Sequence, residues 1–401
     1  MTASGVAPPA GEPPLGVGLI GYAFMGAAHS QAWRTVGRVF DLPLDVRMTV
    51  LCGRDRDAAT AAAARLGWTS VETDWKAMLA RDDVRLVDIC TPGSSHADIA
   101  IAALEAGKHV LCEKPLANTV AEARAMVEAA RTARAAGVRS MVGFNYRRLP
   151  AVAFARQLVV EGRLGQVRHV RAQYMQDWIV DPEYPLVWRL RADEAGSGAL
   201  GDIGAHIVDL TQFVTGQRIT GVSGLLETFV RRRPLPAAGS GLSGSAGTAE
   251  TGEVTVDDAA LFLARLDGGA VATYEATRFA TGRKNSIRVE LNGERGSLAF
   301  DLERLNELEF LDATEDPAVQ GFRRILVTEP THPYAGAWWP PGHTLGWEHS
   351  FTHEVKDLVE AVAAGIDPLP SFPDGLQVQL VLDAVERSAA DRGCWTPVEA
   401  P

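Results

Sequence analysis

Asp202 and His206 lie four residues apart in the run Gly196-Ser197-Gly198-Ala199-Leu200-Gly201-Asp202-Ile203-Gly204-Ala205-His206. On a helix that spacing puts both side chains on one face, with Cβ atoms about 5–6 Å apart. The pair offers a general base that titrates near neutrality and a carboxylate to orient it. It is equally the pattern of an aspartate capping a helix and a histidine buried in hydrogen bonds. A second candidate is Lys114, in Glu113-Lys114-Pro115 after the apolar run HVLC. A desolvated lysine can hydrogen-bond a reacting hydroxyl, and a neighbouring charge tunes its pKa.

Near the N-terminus the residues from Gly18 to Gly26 read GLIGYAFMG. Gly21-x-Ala23-x-x-Gly26 has the spacing of a turn that brings the N–H groups of a helix start against a pyrophosphate. Ala23 takes the place of the second glycine of that fingerprint, so its methyl group crowds the phosphates. Past the next apolar run comes Cys52-Gly53-Arg54-Asp55, with no acid at the usual ribose-binding place. Arg54 is suited to pair with the 2′-phosphate of NADP, to stack on adenine, or to stand as a surface residue. Thr91-Pro92-Gly93-Ser94-Ser95-His96 follows the run LVDIC. Like Glu113-Lys114-Pro115, it falls just past a strand's carboxyl end, where open parallel sheets bind ligands.

The elements that must position these residues are legible as patterns. Apolar runs from Val17, Met48, Leu86, His109 and Ser140 alternate with Ala-rich helical stretches. That alternation predicts βαβ units and a parallel sheet buried on both faces. We read residues 1–14 as a tail and 15–145 as a doubly wound Rossmann domain. Residues 146–401 read as an α+β domain. It opens with a helix to about Val160, a strand near Val167–Met175 and a helix from Asp202 to about Val214. A series of strand-like runs with turn residues at Asp267-Gly268-Gly269 and Asn292-Gly293 then predicts an antiparallel meander. The Gly/Ser/Ala/Pro-rich segment 231–254 is expected to be a mobile loop, with Arg231-Arg232-Arg233 a solvated run. Helices near 348–364 and 376–391 close the chain, placed to pack back on the first domain.

The 401 residues are 46% hydrophobic and 22% charged, enough for buried cores and incompatible with global disorder. A net charge of -11 argues against nucleic acid as a partner. No apolar run approaches the roughly 20 residues of a spanning helix, so no membrane partner is expected, and the first 14 residues lack a signal peptide's basic and apolar regions. Cys52, Cys90, Cys112 and Cys394 have no C-x-x-C spacing and read as reduced thiols of a cytoplasmic protein. His349 and His353 have helical spacing but no evident third ligand, so no metal is expected.

The stretches VGLIGYAFMGAAH, TPGSSHADIAIAALEAGKHVLCEKPLA, GFNYRRLPA and GSGALGDIGAHIVDL occur in an order that resembles the Gfo/Idh/MocA oxidoreductases. The resemblance spans roughly Val17 to Glu386. It implies a Rossmann domain followed by a domain with a large open, mostly antiparallel sheet that binds substrate and forms homodimers or homotetramers. It implies that Lys114 and His206 contact the reacting hydroxyl, with His206 the acid/base and Asp202 orienting substrate or imidazole. Phe24, Met25, Thr91, Pro92, His96, Glu113 and Asn145 would line the cofactor, reached from the second domain by Trp188 and Arg189. Tyr146 stands where several inositol-oxidising members place a substrate-contacting arginine, which argues against simply copying inositol specificity.

The stretches YMQDW, PLVWR, EATR and HPYAGAWWP are similar to members that oxidise levoglucosan. An aromatic wall with amides such as Gln176 suits a pyranose. The expected activity is hydride transfer between a sugar or polyol hydroxyl (pyranose, anhydro-sugar or inositol) and NAD or NADP, with NAD favoured because the members it most resembles use it. A non-catalytic dinucleotide- or sugar-binding regulator of the same fold is the alternative.

Overall fold

The computed structural model describes residues 13–236 and 246–401. Its first sheet contains β1 (Leu15–Ile20), β2 (Val46–Cys52), β3 (Ser70–Glu72), β4 (Leu86–Ile89), β5 (His109–Cys112) and β6 (Ser140–Val142). They are parallel, in the order β3-β2-β1-β4-β5-β6. Helices α1 (Phe24–Val39), α2 (Arg56–Leu66), α3 (Trp75–Leu79), α4 (His96–Glu105) and α5 (Val120–Ala135) connect them. Every residue of β1 and β4 is buried, which is why these strands show no polar-apolar alternation, Asp88 being the single charged residue on them. The order reverses between β1 and β4, and the crevice beyond their carboxyl ends is where such sheets bind ligands.

After a short link, α6 (Pro150–Val160), β7 (Val167–Met175), α7 (Ala192–Ala195) and α8 (Ala205–Thr215) lead into the second sheet. Its further strands are β8 (Ile219–Glu227), β11 (Ala259–Leu266), β12 (Val271–Thr277), β13 (Ser286–Gly293), β14 (Gly296–Asp301), β15 (Glu307–Asp312), β16 (Arg323–Leu326) and β17 (Thr396–Pro397). The order is β16-β15-β14-β13-β7-β12-β11-β8-β17, antiparallel except for the β7–β12 pair. Burial alternates along β11, as expected for a sheet covered on one face. Helices α6, α8 and α10 (Phe372–Ala390) pack on the covered face. Leu225, Leu261, Leu263 and Val271 are exposed. The sheet thus matches the expected open, mostly antiparallel one. Helix α9 (His349–Ala364) packs on α1 and α10 packs on α5, so both terminal helices contact the first domain.

The segment 231–254 departs from the expected mobile loop. It carries β9 (Arg232–Pro236) and β10 (Ala246–Glu253), paired as a two-stranded antiparallel ribbon; residues 237–245 lie outside the described residues. Arg231 and Arg232 are exposed, but Arg233 is not part of a solvated run. Its guanidinium is buried and donates to the carbonyls of Ile179, Asp181 and Tyr184 at 2.6, 2.7 and 3.3 Å. The fork of donors satisfies carbonyls of an irregular loop that has no strand partner for them. Arg233→Ala is expected to lower the unfolding free energy by about 2–3 kcal/mol, read as an earlier midpoint in urea. Arg232→Ala should leave the midpoint unchanged.

Candidate active site

Between the two sheets lies a cavity of about 1000 Å³. One side is built from strand ends of the first sheet: Phe24 and Met25 at the start of α1, Thr91 and Pro92 after β4, and Glu113 and Lys114 after β5. Gly21 has φ +91°, and a Cβ there would sit 2.8 Å from the Cys90 carbonyl. A Cβ on Gly26 would sit 2.1 Å from the Gly21 carbonyl. Both glycines are therefore required by the turn rather than by the cavity, whose lining includes neither. Helix α1 starts without a side-chain cap and without an acid in its first turn, leaving a positive helix end for phosphates. These features fit a dinucleotide. His96 ties two of the loops, with ring nitrogens 2.9 and 3.0 Å from the carbonyls of Thr91 and Pro115. Arg54 is exposed past the end of β2 and does not line the cavity.

The Gly-rich run does not form one continuous α-helix. Leu200–Gly204 is a turn of π-helix, and α8 begins only at Ala205. Asp202 is not the cap; Asp257 accepts the N–H groups of Gly198 and Leu200 at 2.7 and 2.8 Å. A Cβ on Gly198 would lie 1.7 Å from the Asp257 carbonyl, so this approach admits only glycine. Freed from capping, Asp202 faces the cavity. Its Oδ1 lies 3.1 Å from Lys114 Nζ, and its Oδ2 accepts from Arg278 Nη2 at 2.8 Å. Its backbone carbonyl accepts a second bond from Lys114 Nζ at 2.8 Å. Burial would raise the carboxyl's pKa, but the charges of Lys114 and Arg278 hold it well below the ordinary range.

His206 also faces the cavity, yet its partner is not Asp202. The rings of Tyr146, Tyr174 and Phe144 surround it, at 4.8, 5.8 and 6.1 Å between centroids. Burial, reinforced by the nearby Lys114 charge, pushes its pKa well below the usual value. The imidazole is therefore neutral at neutral pH, with a lone pair free to accept a proton.

The opposite wall comes from three neighbouring strands of the second sheet. Because β7 and β12 run parallel, Gln176 and Arg278 emerge at the same end, and Asn285 enters there on antiparallel β13. Asn285 Oδ1 accepts from Tyr174 Oη at 2.7 Å and from Gln176 Nε2 at 2.9 Å. Gln176 Oε1 accepts from Trp178 Nε1 at 2.9 Å, and the hydroxyls of Tyr146 and Tyr174 are 3.0 Å apart. Asn145, Trp188 and Arg189 also line the cavity.

The sequence motifs do not single out Arg278, Tyr174, Asn285 or Asp257. Arg278 and Tyr174 sit in the stretches EATR and YMQDW but carry no local signal of pairing. His349 and His353 do not form a metal pair: His353 Nδ1 is 2.9 Å from the Arg148 carbonyl, and its Nε2 accepts from Trp338 Nε1 at 2.7 Å.

A dinucleotide cradle facing a Lys–Asp–His constellation defines an oxidoreductase that uses a nicotinamide cofactor. Residues 15–144 match the family described as "Oxidoreductase family, NAD-binding Rossmann fold", and residues 152–299 match "GFO/IDH/MocA C-terminal domain". The chain belongs to the Gfo/Idh/MocA oxidoreductase family. It is 41% identical over 388 residues to levoglucosan dehydrogenase of Pseudarthrobacter phenanthrenivorans, covering 96% of this chain and 98% of that protein. A structure of levoglucosan dehydrogenase in complex with NADH is similar with a TM-score of 0.91 and 40% identity, covering 97% of this chain and all of that one. An oxidoreductase domain protein from Kribbella flavida is 67% identical at a TM-score of 0.92, again over 97% and 100% of the two chains.

Arg278 is almost wholly buried and shares Asp202 with Lys114. Arg278→Met should leave Asp202 with one cation and lower stability by about 3 kcal/mol, measured by denaturant unfolding.

Proposed function

We propose that the protein oxidises a secondary hydroxyl of a pyranose-like sugar, an anhydro-sugar such as levoglucosan foremost, with NAD. The observation that carries this reading is the convergence of Lys114, Asp202 and His206 on one cavity. Its far wall offers Trp178 for an apolar sugar face and Gln176 and Asn285 for hydroxyls. The similarity to levoglucosan dehydrogenase supports the substrate class.

The nicotinamide ring, when bound, supplies the hydride acceptor. His206, neutral and unpaired with Asp202, takes the hydroxyl proton. Lys114 has three N–H donors, and Asp202 engages two of them through its carbonyl and Oδ1. The third is left to donate to the substrate oxygen as negative charge develops there. Asp202 positions the ammonium, and Arg278 prevents Asp202 from rotating away. NAD is preferred over NADP because Asp74 and Glu72 make the end of β2 acidic; burial, with their charges added, pushes the Cys52 thiol up to about 12. A 2′-phosphate placed there would meet Asp74 and Glu72, the latter paired with Arg81 at 3.3 Å, with the exposed Arg54 to oppose them.

Leu225, Leu261, Leu263 and Val271 on the open sheet face are read as the contact between copies in a homodimer or homotetramer. Sedimentation of the wild-type protein should show an oligomer, and Leu261→Glu with Leu263→Glu should dissociate it. A monomeric wild type rejects this contact.

NADH absorbance with levoglucosan, glucose and myo-inositol tests the activity; turnover is expected on the anhydro-sugar or pyranose with NAD. His206→Ala should lower kcat by about 10²–10⁴-fold while leaving NAD affinity within about threefold. Because the depressed pKa keeps His206 neutral, wild-type oxidation should stay level as pH falls to 6.5. It should decline only at lower pH, when the imidazole binds a proton before the substrate can supply one.

A further inference from the structure

Behind Glu113 lies a buried line of ionisable side chains that the proton transfer above does not use. His29, on α1, is 1% exposed, and Asp88, on β4, is fully buried. His29 Nδ1 lies 3.0 and 2.9 Å from the two Asp88 oxygens, and its Nε2 lies 2.9 Å from Glu113 Oε1. Trp33 Nε1 donates to Asp88 at 2.7 Å, and the Lys114 backbone N–H donates to the other Glu113 oxygen at 3.0 Å. A Cβ on Gly143 would come within 3.2 Å of Glu113 Oε1, so the carboxylate is packed as well as bonded.

Both ring nitrogens of His29 face carboxylate oxygens, which accept when ionised, so both nitrogens donate and the ring is an imidazolium. Burial opposes that charge, but Asp88 raises the pKa well above its ordinary value. The other titratable groups facing the line are Cys90 on β4, His96 on α4, Cys112 and Lys114 at the end of β5, Arg148 in the link, Arg189 from the second domain and Glu354 on α9. Glu354 is wholly buried with both carboxyl oxygens unpartnered. Burial raises it to about 8, so at neutral pH it is mostly protonated and adds little negative charge.

We propose that His29 is a positioning residue whose imidazolium supports the Glu113 carboxylate at the cavity wall, so that the site favours the cationic oxidised nicotinamide over the neutral reduced ring. This rests on the reading of Glu113 as part of the cofactor wall. Without the imidazolium, two buried carboxylates would flank a neutral group with no cation between them. Asp88 keeps the Trp33 indole and the Cys90 thiol at 3.5 Å as donors. Glu113 keeps only one backbone N–H, so it is the less supported of the two and the preference is lost.

The test compares Kd for NAD+ and NADH, by fluorescence titration at pH 7, where Glu354 is mostly protonated, in wild type, H29Q, E113Q and the double variant. H29Q should lose about tenfold of the NAD+ preference. E113Q should show at least that loss, and the double variant should lose no more than E113Q. An unchanged ratio in folded H29Q, or additive losses in the double variant, overturns the proposal. Nitrogen NMR of wild-type histidines gives a check that does not depend on a variant folding: His29 should carry protons on both ring nitrogens at pH 7, and a neutral ring overturns the proposal. A wild type that binds neither form of the cofactor would instead reject the assignment of the cavity to a dinucleotide.

Discussion

Asp202 is an anion shared by two cations from separate parts of the chain. Lys114 comes from a strand end of the parallel sheet, and Arg278 from a strand end of the second sheet. Arg278 and Lys114 are largely removed from water, and charges so placed are tolerable only when each has a close partner. The geometry of all three groups is therefore interdependent, and the π-helical turn that presents Asp202 is part of the same constraint. That turn is held by Asp257, which accepts the N–H groups of Gly198, just before it, and of Leu200, its first residue, so Asp202 is free to face the cavity instead of capping its own helix.

Around this ion cluster the two sheets divide the work. The parallel sheet supplies the turn at Gly21 and the loops beyond β4 and β5, where backbone groups and a helix end suit a dinucleotide. The second sheet supplies side chains. Its single parallel pairing, β7 with β12, delivers Gln176 and Arg278 to the same edge; an antiparallel pairing would have put them at opposite ends. His206 sits among aromatic rings, and burial there, with the Lys114 charge, outweighs the nearby Asp202 carboxylate and keeps it neutral.

Much of the site is legible in the amino-acid sequence. The apolar runs with Gly21 and Gly26 marked the first sheet, and Glu113-Lys114 and Asp202-x-x-x-His206 marked positions that do line one cavity. The relation between those residues was not legible. Helical spacing placed Asp202 beside His206, whereas its partners are 88 and 76 residues away. The three arginines from Arg231 looked like one solvated group, because a run of charge says nothing about which member lies beneath a loop with unsatisfied carbonyls.

By itself the amino-acid sequence determined the elements, since period and turn chemistry are local properties of the chain. It also determined which groups could exchange a proton or donate to an oxygen, because that is a matter of side-chain type. Only the tertiary structure decided which charge pairs with which, that His206 is held neutral by burial among rings of the link before α6 and of β7, and that Arg278 belongs to the site. Those outcomes depend on through-space distance and loss of water, and neither is encoded in the spacing of residues along the chain.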